Sequence, residues 1–361
     1  MAARILVGVL GAALVMLMLS EVFLVFLLPR RVKRDPRIVR RVFAMGWRPW
    51  RRMARRVPPR AADTMLGIYG PLGLLLNLAL WVTGLIVGYT CLQWALHSDL
   101  HPIHPVSFGD DLFFSAATMV SSGTGSLTAE DTAARLVQVI DAASGLAVLT
   151  LVIGYLPALF QAFSQREATV SQLDARAGSP PTAGRLVVRS TQRGGWPALS
   201  DYLREWETWV AELMETHLAY PVLAFFRSQH VNQSWLAALC TVLDSCALTV
   251  AAAPVGSVDP ARFTFAIARH AVVDLCYSFR GQPNAPADRL SDGEFERLLA
   301  ELRDGGVQLG APPAEIHARL TRMRGLYEPY VHALSVALEL PLPPWVAPES
   351  TSDNWRTTEW H

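Results

Sequence analysis

Ser121, Ser122, Gly123, Thr124, Gly125 and Ser126 form a run of small residues with glycine at alternate positions. Ahead of it lies a mostly apolar, helix-forming run at 112–120, which Asp110 and Asp111 can cap with acidic first-turn charge. Glycine adopts positive φ at little cost, so successive carbonyls in such a run can be turned to one side. The chemistry on offer is coordination of a cation by backbone carbonyls and a hydroxyl. Taken alone, the same six residues also describe a flexible polar loop, and the flanking segments decide between the two. The helix-forming run is far shorter than the roughly 20 residues that span a bilayer. It dips in and stops. Irregular backbone at membrane depth is tolerated only where it lines water or is buried in protein. The expectation is therefore a re-entrant pore loop.

The elements that would position this loop are hydrophobic spans. The chain has 361 residues, 51% of them hydrophobic, which calls for membrane segments. Residues 3–29 form a first span interrupted by Ser20 and Glu21; its apolar region is too long for a signal peptide and no small-x-small cleavage site follows. Glu21 lies near the arginine-rich end and is expected as a snorkelling or arginine-paired carboxylate. Residues 30–60 then carry thirteen basic side chains against Asp35 alone, which places this segment in the cytoplasm and the N-terminus outside. Trp47 and Trp50 interleave with Arg48, Arg51, Arg52, Arg55 and Arg56, as in an interfacial helix on anionic headgroups rather than a nucleic-acid patch. A second span at 65–96, interrupted at Gly70-Pro71, runs back outside, and a third is expected at 133–162.

Between the second span and the loop, His97, His101 and His104 have a spacing open to zinc binding, proton sensing or simple solvation. No metal is assigned. Glu130 and Asp131, after the loop, fall at an outer mouth, where they concentrate cations or cap the next helix. Cys91, Cys240, Cys246 and Cys276 lack the spacing of a metal or disulfide set and are expected as buried thiols.

Read together, DLFFSAATMVSSGTGSLTAEDTAARLVQVIDAASGLAVLTLVIGYL resembles the pore module of the tetrameric potassium channel family, in particular bacterial members with one pore loop per chain. In that family a pore helix ends in a TVGYG-type filter and an acidic residue. An arginine then opens the inner helix and a hinge glycine follows; Arg135 and Gly145 stand at those places counted from Gly125. The resemblance covers residues 64–165. It implies a homotetramer in which four loops close one carbonyl ring. Aligned on the two glycines, Ser121 replaces the family's threonine, Ser122 its valine, Thr124 its tyrosine and Ser126 its aspartate. Ser121 keeps a hydroxyl at the cavity end. Thr124 lacks the ring that braces the filter from behind, which leaves both a potassium-selective and a weakly selective pore, passing sodium as well, open.

On the inner helix, Gly145, Gly154 and Pro157 are candidate bending points, with close helix packing as the other reading of Gly145. Asp141, one turn before Gly145, either lines the cavity or pairs behind the filter with a pore-helix or second-span partner; pairing is favoured.

Residues 166–198 read as a linker with one short strand at 186–188. A cytoplasmic all-α domain follows at 199–340, with helices expected at 201–218, 220–229, 234–253, 260–279, 292–304 and 313–338. Ser291 and Glu294 form a capping box. The segment at 235–253 is apolar enough to span, but Asp244 in its middle and the lack of a basic flank favour a buried bundle helix. His217, Tyr220, Arg227, His230, Asn232 and Gln233 form a polar cluster, either a ligand site or a junction knitted by hydrogen bonds, the latter favoured. Residues 341–361 read as a disordered tail. No GxGxxG, P-loop, HExxH or GxSxG motif occurs, so neither a nucleotide-binding regulatory domain nor an enzyme is indicated.

The expectation is thus an all-α, multi-pass protein of a bacterial inner membrane. An N-terminal transmembrane helix (1–29) and a basic linker (30–63) precede a pore module of outer helix, pore helix, filter and inner helix (64–165), and a linker, a helical bundle and a tail follow. It would conduct monovalent cations without a cofactor and be gated through its bundle, whose ligand or partner protein is unspecified. The competing class is a non-conducting sensor or scaffold that retains the pore architecture.

Overall fold

The computed structural model describes residues 1–26, 38–97, 99–102, 105–120, 123–124, 127–192, 194–228, 232–254, 258–279, 281–283 and 288–347, with side chains in the second stretch from Phe43 onward. These residues are mostly helical and divide into two compact units, Met1–Phe160 and Gln161–His361.

In the first unit, α1 (Ala2–Phe26) lies along α3 (Pro59–Leu96). Glycines permit the approach. A Cβ on Gly11 would stand 2.7 Å from the carbonyl oxygen of Gly88, and one on Gly88 would stand 3.1 Å from that of Gly11, so the two backbones touch. Val15, Met18 and Val22 then pack with Trp81, Leu85 and Tyr89. α3 runs without a break through Pro71, against the interruption expected at Gly70-Pro71. Pro71 forgoes one ladder hydrogen bond, but its added clash with the Cβ of the preceding residue is absent because that residue is Gly70.

α2 (Ile38–Ala54) precedes α3, and the twelve-residue α4 (Phe108–Met119) follows it. The cap of α4 is Ser107, not the aspartates: Ser107 N–H donates to Asp110 Oδ2 at 2.9 Å and Asp110 N–H donates to Ser107 Oγ at 3.3 Å. Asp110 is thus the third-position partner of a capping box and Asp111 a buried first-turn residue. Two short strands, β1 (Leu100–His101) and β2 (Thr128–Ala129), pair antiparallel and tie together the chain before α4 and after the glycine loop. α5 (Thr132–Ala177) is continuous through Gly154 and Pro157, and its last part belongs to the second unit. Residues 166–177, expected as linker, are therefore helix.

The second unit continues with α6 (Ala183–Thr191), where a strand was expected at 186–188. Ala183, Leu186 and Val187 repeat at helical spacing and are buried, while Thr182 caps the start through the Arg185 N–H; this periodicity overrides the strand preference of the paired valines. Then come α7 (Gly195–Ala219), a 3₁₀ turn at Pro221–Phe225, α8 (Trp235–Ala252), α9 (Asp259–Ser278), α10 (Asp292–Asp304), α11 (Pro313–Arg324) and α12 (Glu328–Leu338). The helix expected at 220–229 is only that 3₁₀ turn, because Pro221 cannot continue the ladder of α7. The helix expected at 313–338 divides at Gly325. Ser291 N–H donates to Glu294 Oε2 at 2.9 Å, closing the expected capping box of α10.

Among the described residues, four helices are long and apolar enough to cross a membrane: α1, α3, α5 and α8. Their surroundings separate them, since α8 is 94% enclosed by protein whereas the other three bury 28%, 33% and 17% of their apolar windows. α8 is the centre of the helical bundle. Part of the expected tail also belongs to this core: Trp345 is 1% exposed and its carbonyl accepts from Gly184 N–H at 3.3 Å.

Candidate functional site

α4 ends at Val120, well short of a spanning length. Of the six loop residues, Ser121, Ser122, Gly125 and Ser126 lie outside the described residues. Gly123 has φ +85°, the left-handed conformation that alternating glycines supply, and no atom lies within 4 Å of where a Cβ would be. Thr124 closes the loop on itself: its hydroxyl donates to the Leu127 carbonyl at 2.7 Å, and Leu127 N–H donates back to the Thr124 carbonyl at 3.1 Å. Past the loop, Glu130 N–H donates to the Asp99 carbonyl at 3.0 Å and Arg135 Nε to the Ala129 carbonyl at 2.8 Å, so Arg135 braces β2. The Glu130 and Asp131 side chains are exposed.

The inner face of α5 meets the carbonyl end of α4. A Cβ on Gly145 would fall 2.2 Å from the Met119 carbonyl oxygen, so this glycine is a close-packing position. Gly154 has no neighbour within 4 Å of such a Cβ and is sterically free. Asp141 and Ser115 of α4 are both buried, and neither Asp141 Oδ1 nor Ser115 Oγ has a hydrogen-bond partner among the described residues. One turn on, Tyr89 of α3 donates to Ser144 Oγ at 2.7 Å, and Ser144 donates to the Ile140 carbonyl at 2.8 Å. Gln93, one turn above Tyr89, donates to the Ala134 carbonyl at 3.1 Å. Sequence reasoning missed Ser115, Tyr89, Ser144 and Gln93. Their signal was polarity inside apolar spans at helical spacing, around Asp141 or along α3.

α2 carries the basic segment expected at an interface with anionic headgroups. Its aromatic face is spent on α3: Phe43 and Trp47 each lie 4.8 Å from the Tyr69 ring and Trp50 lies 5.8 Å from it. Tyr69 OH donates to the Phe43 carbonyl at 2.5 Å and Trp50 Nε1 to the Met65 carbonyl at 2.9 Å. Arg48, Arg52, Arg55 and Arg56 are exposed, whereas Arg51 is half-buried. Glu21 is buried within the first unit. His97 ends α3 at φ 55°, His101 sits in β1, and His104 lies outside the described residues; among the described residues no three His, Cys, Asp or Glu side chains gather as metal ligands.

In the second unit the polar cluster around His217 is the knitted junction. His217 donates from Nδ1 to the Leu213 carbonyl at 2.8 Å, which leaves Nε2 to accept from Arg166 Nη1 at 3.2 Å. Arg166, on α5, also donates to the carbonyls of Leu223 at 2.9 Å and Phe226 at 2.8 Å. Arg227 Nη2 donates to the Glu339 carbonyl at 2.5 Å; Asn232 has φ 66°, and His230 lies outside the described residues. Burial, and then the facing guanidinium, hold the His217 imidazole well below the usual histidine range. The unfolded chain therefore binds this proton more readily than the folded one. Below pH about 6.5 the histidine term should cost about 1.4 kcal/mol of stability per pH unit, until the folded group itself titrates. Asp244 titrates in the opposite sense over nearby pH, so the measurement is the difference in unfolding free energy between wild type and His217→Gln, which should change in the variant's favour as pH falls from 6.5 to 5.

The fold and these sites define an all-α membrane protein in which a short helix and glycine loop lie between two long apolar helices, joined to a helical bundle. No family model matches the chain, and no solved structure matches it. A curated relative, "Uncharacterized membrane protein YdjJ" of Bacillus subtilis (strain 168), is 26% identical over 193 residues, 52% of this chain and 54% of the relative. The chain thus matches about half the length of that relative.

Proposed function

We propose that the chain is a cation channel with one pore loop per subunit, assembled as a homotetramer in the membrane. The observation that carries this reading is a capped twelve-residue helix that stops at Val120, followed by Gly123 in left-handed backbone. A single loop per chain makes one quarter of a carbonyl ring, so conduction requires about four copies around an axis. The permeant ions are monovalent cations, with potassium expected from the resemblance and sodium admitted by the turn at Thr124. The basic segment at 30–60 supports an orientation with the N-terminus outside and the bundle in the cytoplasm. Gating would pass along α5, with bending at Gly154 or Pro157, since Gly145 is held against Met119.

Ion flux into liposomes under potassium, sodium and chloride gradients tests this. Gly123→Ala is the informative variant. It meets no atom, so packing should survive, while an alanine at positive φ costs about 1 kcal/mol and re-aims the peptide, for an expected change of about fivefold in flux or in cation preference. Wild-type-like conduction by the variant would remove the carbonyl-filter assignment. No flux from wild type under any gradient moves the assignment to a sensor or scaffold that signals through the bundle.

A further inference from the structure

We infer that the exposed arginines at the α2–α3 corner form a binding surface for the headgroup phosphates of anionic phospholipids. The inference rests on the membrane placement of α3 and not on conduction. Its starting point is the way the two faces of α2 are used. Phe43, Trp47 and Trp50 are committed to Tyr69 and Met65 of α3, so this helix does not hold the membrane by inserting its aromatic side. The side left over carries Arg48 and Arg52, one turn apart, with Arg56 in the following turn and Arg60 in the first turn of α3.

All four are exposed, and among the described residues none of them has a carboxylate within ion-pair distance. From residue 38 to residue 62 the sequence contains no acidic residue at all. Four unneutralised guanidiniums within residues 48–60 repel one another, and an arrangement of this kind is stable where anions are dense. Met45 and Met53 stand among them, 70% and 55% exposed. Arginine heads at the phosphates with methionine side chains beside the upper acyl carbons match the profile of a bilayer surface, whereas a soluble phosphate gives the methionines nothing to contact. Occupation of this surface would also reach a span, because Tyr69 both stacks on the α2 aromatics and donates to the Phe43 carbonyl.

The test uses the purified full-length protein in detergent, titrated with phosphatidylglycerol or with phosphatidylcholine of the same acyl chains, with the thermal unfolding midpoint as readout. Phosphatidylglycerol should raise the midpoint at lower concentration than phosphatidylcholine. Each arginine near a charged surface is worth about fivefold in affinity, so R48Q/R52Q/R56Q/R60Q should weaken the phosphatidylglycerol response by well over tenfold and leave the phosphatidylcholine response unchanged. The corresponding four lysine substitutions keep the charge and should keep the preference, which guards against a glutamine variant that simply misfolds. An equal response of wild type to both lipids, or a full anionic preference in the glutamine variant, overturns the inference. So does inorganic phosphate reproducing the phosphatidylglycerol shift at equal concentration. A protein that conducts nothing still returns an answer.

Discussion

Replacing Gly145 with alanine is expected to lower the stability of the first unit by about 1–3 kcal/mol, the usual range for overpacking a filled interior. The contact that drives this is to backbone: the new methyl group would fall 2.2 Å from the Met119 carbonyl oxygen and 3.0 Å from both the Met119 carbonyl carbon and Sδ. A thioether can rotate aside; a carbonyl at the end of a helix cannot. Either α5 or the last turn of α4 has to move by about 1 Å to restore ordinary contact. Met119 is the last residue of α4, so that movement passes directly into the loop that begins after Val120. If the loop is a filter, flux should fall at least tenfold while the bundle stays folded. Gly154→Ala is the control. It meets nothing within 4 Å and improves helix propensity by about 1 kcal/mol, so its thermal midpoint should hold or rise. A Gly145→Ala protein with the wild-type midpoint would show that α4 and α5 are not in backbone contact.

The parts legible in the sequence are those where one periodicity acts over many residues. α1, α3 and the first part of α5 follow from apolar runs, and α10 follows from a capping box and an amphipathic repeat with no competing signal. Asp141 was legible as a buried carboxylate because charge inside a span has few stable environments. What failed was local preference set against tertiary context. The paired valines of α6 suggested a strand until burial on one helical face decided otherwise, and Pro71 suggested a break that Gly70 relieves. The packing of the α2 aromatics was not legible because a sequence does not say that Tyr69 lies beside them. Trp345 was lost for the same reason. A proline-rich stretch reads as disordered, yet the indole sits within 5.9 Å of Arg289 and 5.7 Å of Arg324, in contacts that join distant parts of the chain.

Those two arginines carry the largest expected stability effect. Asp244, 1% exposed at the middle of α8, receives Arg289 Nη2 at 2.5 Å on one oxygen and Tyr327 OH at 2.5 Å on the other. Arg324 donates from Nε to Glu328 Oε1 at 3.0 Å and from Nη2 to Asp288 Oδ1 at 2.5 Å, which ties α11 and α12 to the same cluster. Arg289→Leu leaves Asp244 with the Tyr327 hydroxyl and the weak Cys240 thiol donor, and uncovering a buried charge in this way costs about 3–5 kcal/mol. Arg204→Leu, which removes an exposed pair with Asp201, should change stability by less than about 1 kcal/mol. Burial pushes the Asp244 carboxyl up to about 6 despite the opposing pull of Arg289. Its folded value is raised, so its contribution is fully present below pH about 4 and is lost as pH rises through 6. Without Arg289 that loss continues to higher pH, because the ionised carboxylate then lacks its nearest cation; at low pH the protonated carboxyl needs none. The Arg289→Leu deficit should therefore be largest above pH 7 and shrink toward pH 4, as read by thermal or urea unfolding at each pH. Asp244→Leu combined with Arg289→Leu should recover most of the loss, since two apolar side chains leave no charge to solvate. A deficit below about 1 kcal/mol at neutral pH, or one that does not shrink on acidification, would mean that Asp244 is not held as a buried ion by this arginine.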